Sequence, residues 1–330
     1  MTIRLSLALE GGGLRLPDAG RIAVFHPTSG LDLSSLPRDR VEVIQPFKPD
    51  HDHFADQGYS CTPQSDDQPV AASLVCLPRA KAEALALIAQ AARLTTGVLI
   101  IDGQKTDGVD SILKAVRARA SVQGPLSKAH GKIFWLTDWN ADAFDDWAAG
   151  PMLTEGGFWT APGVFSADGV DLASALLVDH LPDTLGKQVA DLGAGWGFLS
   201  AHVLTRPGIE AVHLVEAGHM ALECARRNVT DARAHFHWAD ATRWAPPGKM
   251  DAVVMNPPFH TGRAADPALG QAFVAAAAGM LAPQGQLWMV ANRHLPYEDI
   301  LQARFAKVTE VGGDARFKVL HGARPTRVRT

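Results

Sequence analysis

At 330 residues the chain is about twice the usual domain length, which predicts two domains. Its 47% hydrophobic and 20% charged residues, with 30 Gly and 21 Pro, are those of an ordinary soluble globular protein and exclude a disordered chain, a collagen-like repeat and a coiled coil. A formal net charge of −4 argues against a protein that coats nucleic acid through bulk charge.

The opening stretch MTIRLSLALEGGG carries one Arg and an apolar stub broken by Glu10, so no secretory signal is expected. The longest nearly apolar run, Phe273 to Pro283, is shorter than the roughly 20 residues a bilayer span requires. The expectation is a cytoplasmic protein with no membrane partner. Cys61, Cys76 and Cys224 are far apart and lack CxxC spacing, which predicts reduced cysteines and neither a disulfide framework nor a metal site.

In chain order, strands are predicted over Arg21 to Phe25, Arg40 to Ile44 and Ala72 to Cys76, a helix over Lys81 to Leu94, and a fourth strand over Gly97 to Asp102. A polar linker from Trp139 to Gly157, with Gly150, Pro151, Gly156 and Gly157, divides the chain into domains 1–150 and 151–330. The second half alternates strands and helices more clearly. Strands are predicted over Gln188 to Leu192, Ala211 to Val215, Ala234 to Trp238, Asp251 to Met255 and Gly285 to Ala291. Helices are predicted over Phe198 to Leu204, His219 to Asn228 and Gly270 to Leu281. A closing pair near Ala306 to Val311 and Arg316 to His321, turning at Gly312, Gly313 and Asp314, makes the last strand antiparallel. Strand, helix and strand recur in the same order at Ser73 to Ile101 and Val253 to Met289, which suggests an internal duplication. The last thirty residues carry seven basic side chains against Glu310 and Asp314, the one electrostatic hint of a polyanionic partner.

The strongest local feature is Val189-Ala-Asp-Leu-Gly-Ala-Gly-Trp-Gly197, a strand entering a glycine-rich turn and then a helix. Its G-x-G-x-G spacing is not the dinucleotide G-x-G-x-x-G, and Asp191 before the glycines would repel a pyrophosphate. An acid there suits a ligand with positive charge, and S-adenosylmethionine has a sulfonium and an ammonium and no phosphate. The next two strands end in Glu216 and Asp240, placed to accept from ribose hydroxyls and from an adenine amino group at the sheet edge where α/β proteins bind ligands. Any one of these acids alone reads as a solvated strand terminus. Three after successive strands argue for a site.

The fourth strand ends in Asn256-Pro257-Pro258-Phe259-His260. An exocyclic amino group on a base is a poor nucleophile because its lone pair is delocalised. The Asn256 side-chain oxygen and the Pro257 carbonyl can accept its two hydrogens and aim the lone pair at a methyl carbon, Pro258 stiffens the loop, and Phe259 offers a face for a flipped base.

Together these motifs resemble a class I S-adenosylmethionine-dependent methyltransferase. The stretches Pro162 to Asp171 (PGVFSADGVD), Asn256 to His260 (NPPFH), Val290 to Tyr297 (VANRHLPY) and Arg316 to Val319 (RFKV) resemble the RsmC family of ribosomal RNA guanine-N2 methyltransferases, across nearly all of residues 155–325. The resemblance implies an α/β fold of two tandem Rossmann-like methyltransferase domains. The C-terminal one has a seven-stranded, mostly parallel sheet with an antiparallel last strand, and the N-terminal one is a degenerate copy that scaffolds and recognises RNA. In that copy Leu77-Pro78-Arg79 stand where the active half has Asn256-Pro257-Pro258. By the same resemblance, Asp191, Gly193, Ala194 and Gly195 hold the methionine end of S-adenosylmethionine, Glu216 the ribose, Asp240 and Ala241 the adenine. Asn256 meets both cofactor and target amine, with Pro257 and Phe259 beside it. The Phe165-Ser166 loop, with Asp168 and Gly169, closes over the cofactor, and Asp171 caps the following helix. His260, Arg263, Arg293, Arg316 and Lys318 are candidate base or phosphate contacts.

The implied reaction is methylation of a guanine N2 amine in 16S RNA, with the small ribosomal subunit as partner, no metal and a monomeric enzyme. The alternatives are the sister family acting on 23S RNA, adenine-N6 methylation, methylation of a release-factor glutamine, and a non-catalytic RNA-binding protein on a dead methyltransferase fold. Glutamine enzymes usually carry Tyr where Phe259 stands and have a helical N-terminal domain, unlike Arg21 to Ile44 here.

Overall fold

The computed structural model describes residues 3–258 and 267–326. It divides into two compact units, Met1–Pro151 with Ala161–Gly163, and Met152–Thr160 with Val164–Thr330. Among the described residues no helix is long and apolar enough to cross a membrane.

The first unit has seven strands: β1 (Ile22–Phe25), β2 (Val41–Ile44), β3 (Ser60–Thr62), β4 (Val70–Cys76), β5 (Thr95–Gln104), β6 (Gln123–Lys128) and β7 (Gly131–Leu136). They lie in the order β3-β2-β1-β4-β5-β7-β6, parallel from β3 to β5 and closed by the antiparallel β6–β7 hairpin. Helices α1 (Arg4–Glu10), α2 (Lys48–Asp56), α3 (Lys81–Leu94) and α4 (Val109–Arg117) cover it. The central strands β1, β4 and β5 read as largely apolar runs because both their faces are buried, whereas the edge strands β3 and β6 are polar and more exposed. Leu99 and Ile101 pack with α3 and α4, while Val98 and Ile100 pack with Leu5, Ala8 and Phe54 of α1 and α2.

One expectation needs correction here, and one further segment gains an element. The polar stretch from Trp139 is not a free linker. Residues Ala141–Trp147 form a 3-10 helix whose Phe144 and Trp147 are buried in the core beside α3, and the Trp139 indole donates to the Ala92 carbonyl. At three residues per turn, positions 144 and 147 share a face, so two aromatics anchor a segment that is polar by count. The stub at the N-terminus is also structural. In α1 it buries Leu5, Ala8 and Arg4.

The second unit repeats the arrangement. After a two-stranded hairpin, β8 (Met152–Leu153) and β9 (Trp159–Thr160), come α5 (Leu172–His180), β10 (Gln188–Leu192), α6 (Phe198–Val203), β11 (Ala211–Glu216), α7 (His219–Asn228), β12 (Ala234–Trp238), β13 (Met250–Met255), α8 (Pro267–Met280), β14 (Leu281–Asn292), α9 (Glu298–Arg304), β15 (Phe305–Gly313) and β16 (Phe317–Pro325). The order β12-β11-β10-β13-β14-β16-β15 copies the first sheet strand for strand, and β16 is antiparallel to both neighbours. Alternate residues again serve opposite faces. Val189, Val212 and Val254 pack with α5, α6 and α7, while Ala190, Val253 and Met255 pack with α8 and α9. A one-residue slip of any strand would exchange these faces.

The predicted strands of this unit are all present. The closing turn differs in detail, because Gly312 and Gly313 remain in β15, paired with Val319 and Lys318. The reversal is made by Asp314, whose carboxylate accepts from the amides of Arg316 and Phe317, both at 2.7 Å. The duplication extends to a turn. Gly193 after β10 has φ 74° and donates to the Val215 carbonyl at 2.9 Å; His26 after β1 has φ 53° and donates to the Ile44 carbonyl at 2.9 Å.

Candidate active site

The carboxyl edge of the second sheet carries a cleft between the glycine turn, the Phe165 loop, the start of α5 and Asn256. The turn places Gly193, Gly195 and Gly197 at φ 74°, 56° and 91°. A Cβ at Gly195 would meet nothing within 4 Å among the described residues. None of the described residues lining the cleft is basic, which disfavours a phosphate-bearing ligand.

The three predicted acids stand at the strand ends in different states. Asp191 is fully buried; one oxygen accepts from the Ser200 hydroxyl at 2.7 Å, and the other has no partner among the described residues. Burial pushes its carboxyl up to about 7, against the hydrogen bonds from Ser200 and with help from the charge of Glu216. Glu216 accepts from the amides of Gly195 at 2.8 Å and Gly218 at 2.6 Å. Burial raises its carboxyl too, while those amides pull it down. Asp240, half-buried, accepts from the Thr242 amide at 2.8 Å and hydroxyl at 2.7 Å. Ala194 and Ala241 are buried beside these acids.

Asn256 opens the loop after β13, followed by buried Pro257 and exposed Pro258. Its amide nitrogen donates to the Asp171 carboxylate at 2.9 Å and lies 3.0 Å from the Ser174 hydroxyl. The same Asp171 oxygen accepts from the Ser174 amide at 2.8 Å, the expected helix cap. Phe165 is 59% exposed at the mouth, and its carbonyl accepts from the Trp196 indole at 3.1 Å. Ser166 holds φ 53° with its hydroxyl donating to the Gly169 carbonyl at 2.7 Å, so the loop has a defined shape. Behind it Trp196, Phe198 and Phe158 pack with ring separations of 4.8, 5.9 and 5.7 Å.

Phe165, Ser166, Gly193, Ala194, Gly195 and Asn256 therefore meet around one cleft. Phe259, His260 and Arg263 lie outside the described residues. Two candidate phosphate contacts need correction. Lys318 is 3% exposed with its ammonium on the Glu298 carboxylate. Arg293 pairs with Glu310 at 3.0 Å and donates to the Asp314 and Phe317 carbonyls, stapling the β15–β16 turn. Arg316 is exposed, its guanidinium 5.2 Å from the Phe317 ring centre. Sequence reasoning gave no ligand role to Ser174 or Trp196, both lining the cleft, and did not single out Asn228. The Asn228 side chain bonds both backbone groups of Trp159 and the Trp196 carbonyl, strapping β9 to the glycine turn. These are contacts between distant segments, with no local motif.

Residues 155–321 match the methyltransferase small domain family. A ribosomal RNA small subunit methyltransferase C from Hahella chejuensis is 31% identical over 250 residues, covering 73% of this chain and 72% of that protein. A ribosomal RNA large subunit methyltransferase G from Alcanivorax borkumensis is 36% identical over 170 residues, covering 50% of this chain and 43% of that protein. Among solved structures, the 16S rRNA N2 methyltransferase of T. thermophilus, in complex with AdoMet and guanosine, superposes with a TM-score of 0.78 at 26% identity, covering 94% of this chain and 90% of that one.

Proposed function

The chain belongs to the methyltransferase small domain family and, within it, to the small-subunit ribosomal RNA methyltransferases C, and we propose that it methylates the exocyclic N2 amine of a guanine in 16S RNA. The observation that carries the chemistry is the held amide of Asn256. With its nitrogen on Asp171 and Ser174, the side chain presents its oxygen as the group offered to a substrate. That oxygen and the Pro257 carbonyl accept the amine hydrogens, which counters delocalisation of the lone pair into the ring and aims it for transfer.

S-adenosylmethionine, when bound, supplies a methyl group on a positively charged sulfur. The chain fits such a group: a cleft with no cation among the described residues that line it, a buried Asp191 oxygen with no described partner, and no described atom within 4 Å of a Cβ at Gly195. Asp191, Gly193, Ala194 and Gly195 would hold its methionine end, Glu216 the ribose, and Asp240 with Ala241 the adenine, beneath the Phe165-Ser166 loop. The first unit, in which Leu77-Pro78-Arg79 follow β4, serves as scaffold and RNA-recognition module without a cofactor. The 16S reading is preferred over 23S because the similarity to the small-subunit enzymes spans 73% of the chain, whereas that to the large-subunit enzyme spans 50%.

The test is incubation with S-adenosylmethionine and either small or large ribosomal subunits, followed by nuclease digestion and mass spectrometry of the nucleosides. N2-methylguanosine in 16S RNA is the expected product. The same product in 23S RNA would move the enzyme to the sister family, and N6-methyladenosine or no product would sink the reading.

Asp191 gives the cofactor step a pH signature. Its folded value near 7 lies above the ordinary 3.8, so this group destabilises the ligand-free fold progressively as pH rises from about 4 to 7. A bound cation favours the carboxylate, so binding below pH 7 releases a proton. Cofactor affinity should rise with pH by up to about tenfold per unit below 7 and then level off. Calorimetry in buffers of different ionisation enthalpy reads the released proton, and Asp191→Asn should bind more weakly with the pH dependence removed.

A further inference from the structure

Asp171 does more than cap a helix. One carboxylate oxygen receives two donors 82 residues apart in sequence, the Asn256 amide nitrogen at 2.9 Å and the Ser174 amide at 2.8 Å. The buried Ser174 hydroxyl stands 3.0 Å from the same Asn256 nitrogen. An ionised carboxylate is an acceptor only, whereas the two ends of an Asn amide differ in sign. Turning the amide over would press its oxygen against the Asp171 oxygen. The Ser174 hydroxyl could serve either orientation, so the choice rests on Asp171.

We infer that Asp171 is the positioning residue that locks the Asn256 amide with its oxygen outward, making the site selective for a nucleophile that donates hydrogens. This rests on the reading of Asn256 as the amine acceptor. The lock has an electronic side. As the amine lone pair forms the bond to the methyl carbon, the carbon–sulfur bond breaks with its pair left on sulfur, and the nitrogen turns positive until one of its hydrogens leaves to solvent as a proton. A carboxylate bonded to the Asn256 nitrogen draws the amide towards its charge-separated resonance form, which increases the negative charge on the oxygen facing that nitrogen. Ser174, one turn into α5, keeps the capped end of the helix and the amide in one rigid unit.

The test separates the cap from the lock. Asp171→Ser keeps a good N-cap oxygen but is one atom too short to reach Asn256. It should leave S-adenosylhomocysteine affinity and the KM for RNA within about threefold of wild type and lower kcat roughly 10- to 100-fold. Asp171→Asn, which retains an acceptor at the same place, should recover most of that loss. The second readout needs no turnover. The chain has four asparagines, so asparagine-selective nitrogen-15 labelling gives four side-chain amide pairs, and Asn256→Ala identifies one of them. That pair should be protected from solvent exchange in wild type and exposed in Asp171→Ser. Wild-type kcat with unchanged exchange in Asp171→Ser would overturn the inference, and lost S-adenosylhomocysteine binding would make Asp171 a cofactor ligand instead. If Asn256→Ala itself stays active, the amine-acceptor reading fails first, and the exchange data alone decide whether the lock exists.

Discussion

Replacing Asn256 by alanine should lower kcat by roughly 10²- to 10³-fold, the usual cost of removing one oriented hydrogen-bonding group from a reacting centre. Cofactor affinity should change far less, because the groups proposed to hold the cofactor, Asp191, Glu216 and the glycine turn, remain. The reason lies in the substrate. A ring-conjugated amine has little free lone pair, and the enzyme must both hold its hydrogens and tolerate the positive charge that develops on nitrogen. Alanine does neither, and leaves Asp171 and Ser174 without the amide they hold. Asn256→Asp is an instructive companion. It puts an acid oxygen where the amide nitrogen lay 2.9 Å from Asp171, so one of the two must keep a proton. Its residual activity should therefore fall as pH rises. Single-turnover methylation of ribosomal subunits across pH measures both variants, and near-normal turnover by Asn256→Ala would remove the proposed mechanism.

The largest stability effect is expected in the first unit. Arg4 is fully buried in the first unit, bonded to Asp102 through two nitrogens at 2.6 and 2.8 Å and to the Lys128 and Ala129 carbonyls at 3.1 and 3.3 Å. It ties α1 to β5 and to the β6–β7 turn. Arg4→Met should cost about 3–5 kcal/mol, since it strands a buried carboxylate, and the double variant Arg4→Met/Asp102→Leu should recover much of that. Burial already pushes the Asp102 carboxyl up, and the Arg4 guanidinium holds it back. Without Arg4 the folded form keeps its proton to higher pH than the unfolded chain does. The single variant should thus be relatively more stable at low pH and lose that advantage as pH rises through the folded value. Urea unfolding at pH 5 and pH 8 gives the sign. Equal destabilisation at both would mean that the ion pair is not the source.

Most of the catalytic unit was legible because its signals are local. A parallel strand buried on both faces announces itself as a run such as Ala211 to Val215, and a glycine turn or Asn-Pro-Pro motif lies within a few residues. The first unit was harder, although Val109, Ile112, Leu113 and Val116 of α4 show a clear helical spacing that an emphasis on strands passed over. What sequence reading missed was partnership. Arg293 and Lys318 look like phosphate ligands until Glu310 and Glu298 are found beside them. Asp171 looks like a cap until Asn256 is found beside it at the end of β13. A charge in a sequence states its sign, and only the folded chain states what neutralises it.

The two left-handed turns, at His26 and Gly193, bear on how such a protein changes over generations. The same backbone bend and the same hydrogen bond to the neighbouring strand exist with a side chain in one copy and without one in the other. A bulky residue in that conformation costs on the order of 1–2 kcal/mol, a burden the first unit carries. The bend itself therefore does not demand glycine. In the second unit a Cβ at Gly193 would rest in ordinary contact with the Phe273 ring at 3.5 Å and with Pro258 at 3.9 Å, so the space beside this turn is filled by protein. Two sheets of the same strand order can therefore keep one path of the chain while the residue that makes the bend differs between them.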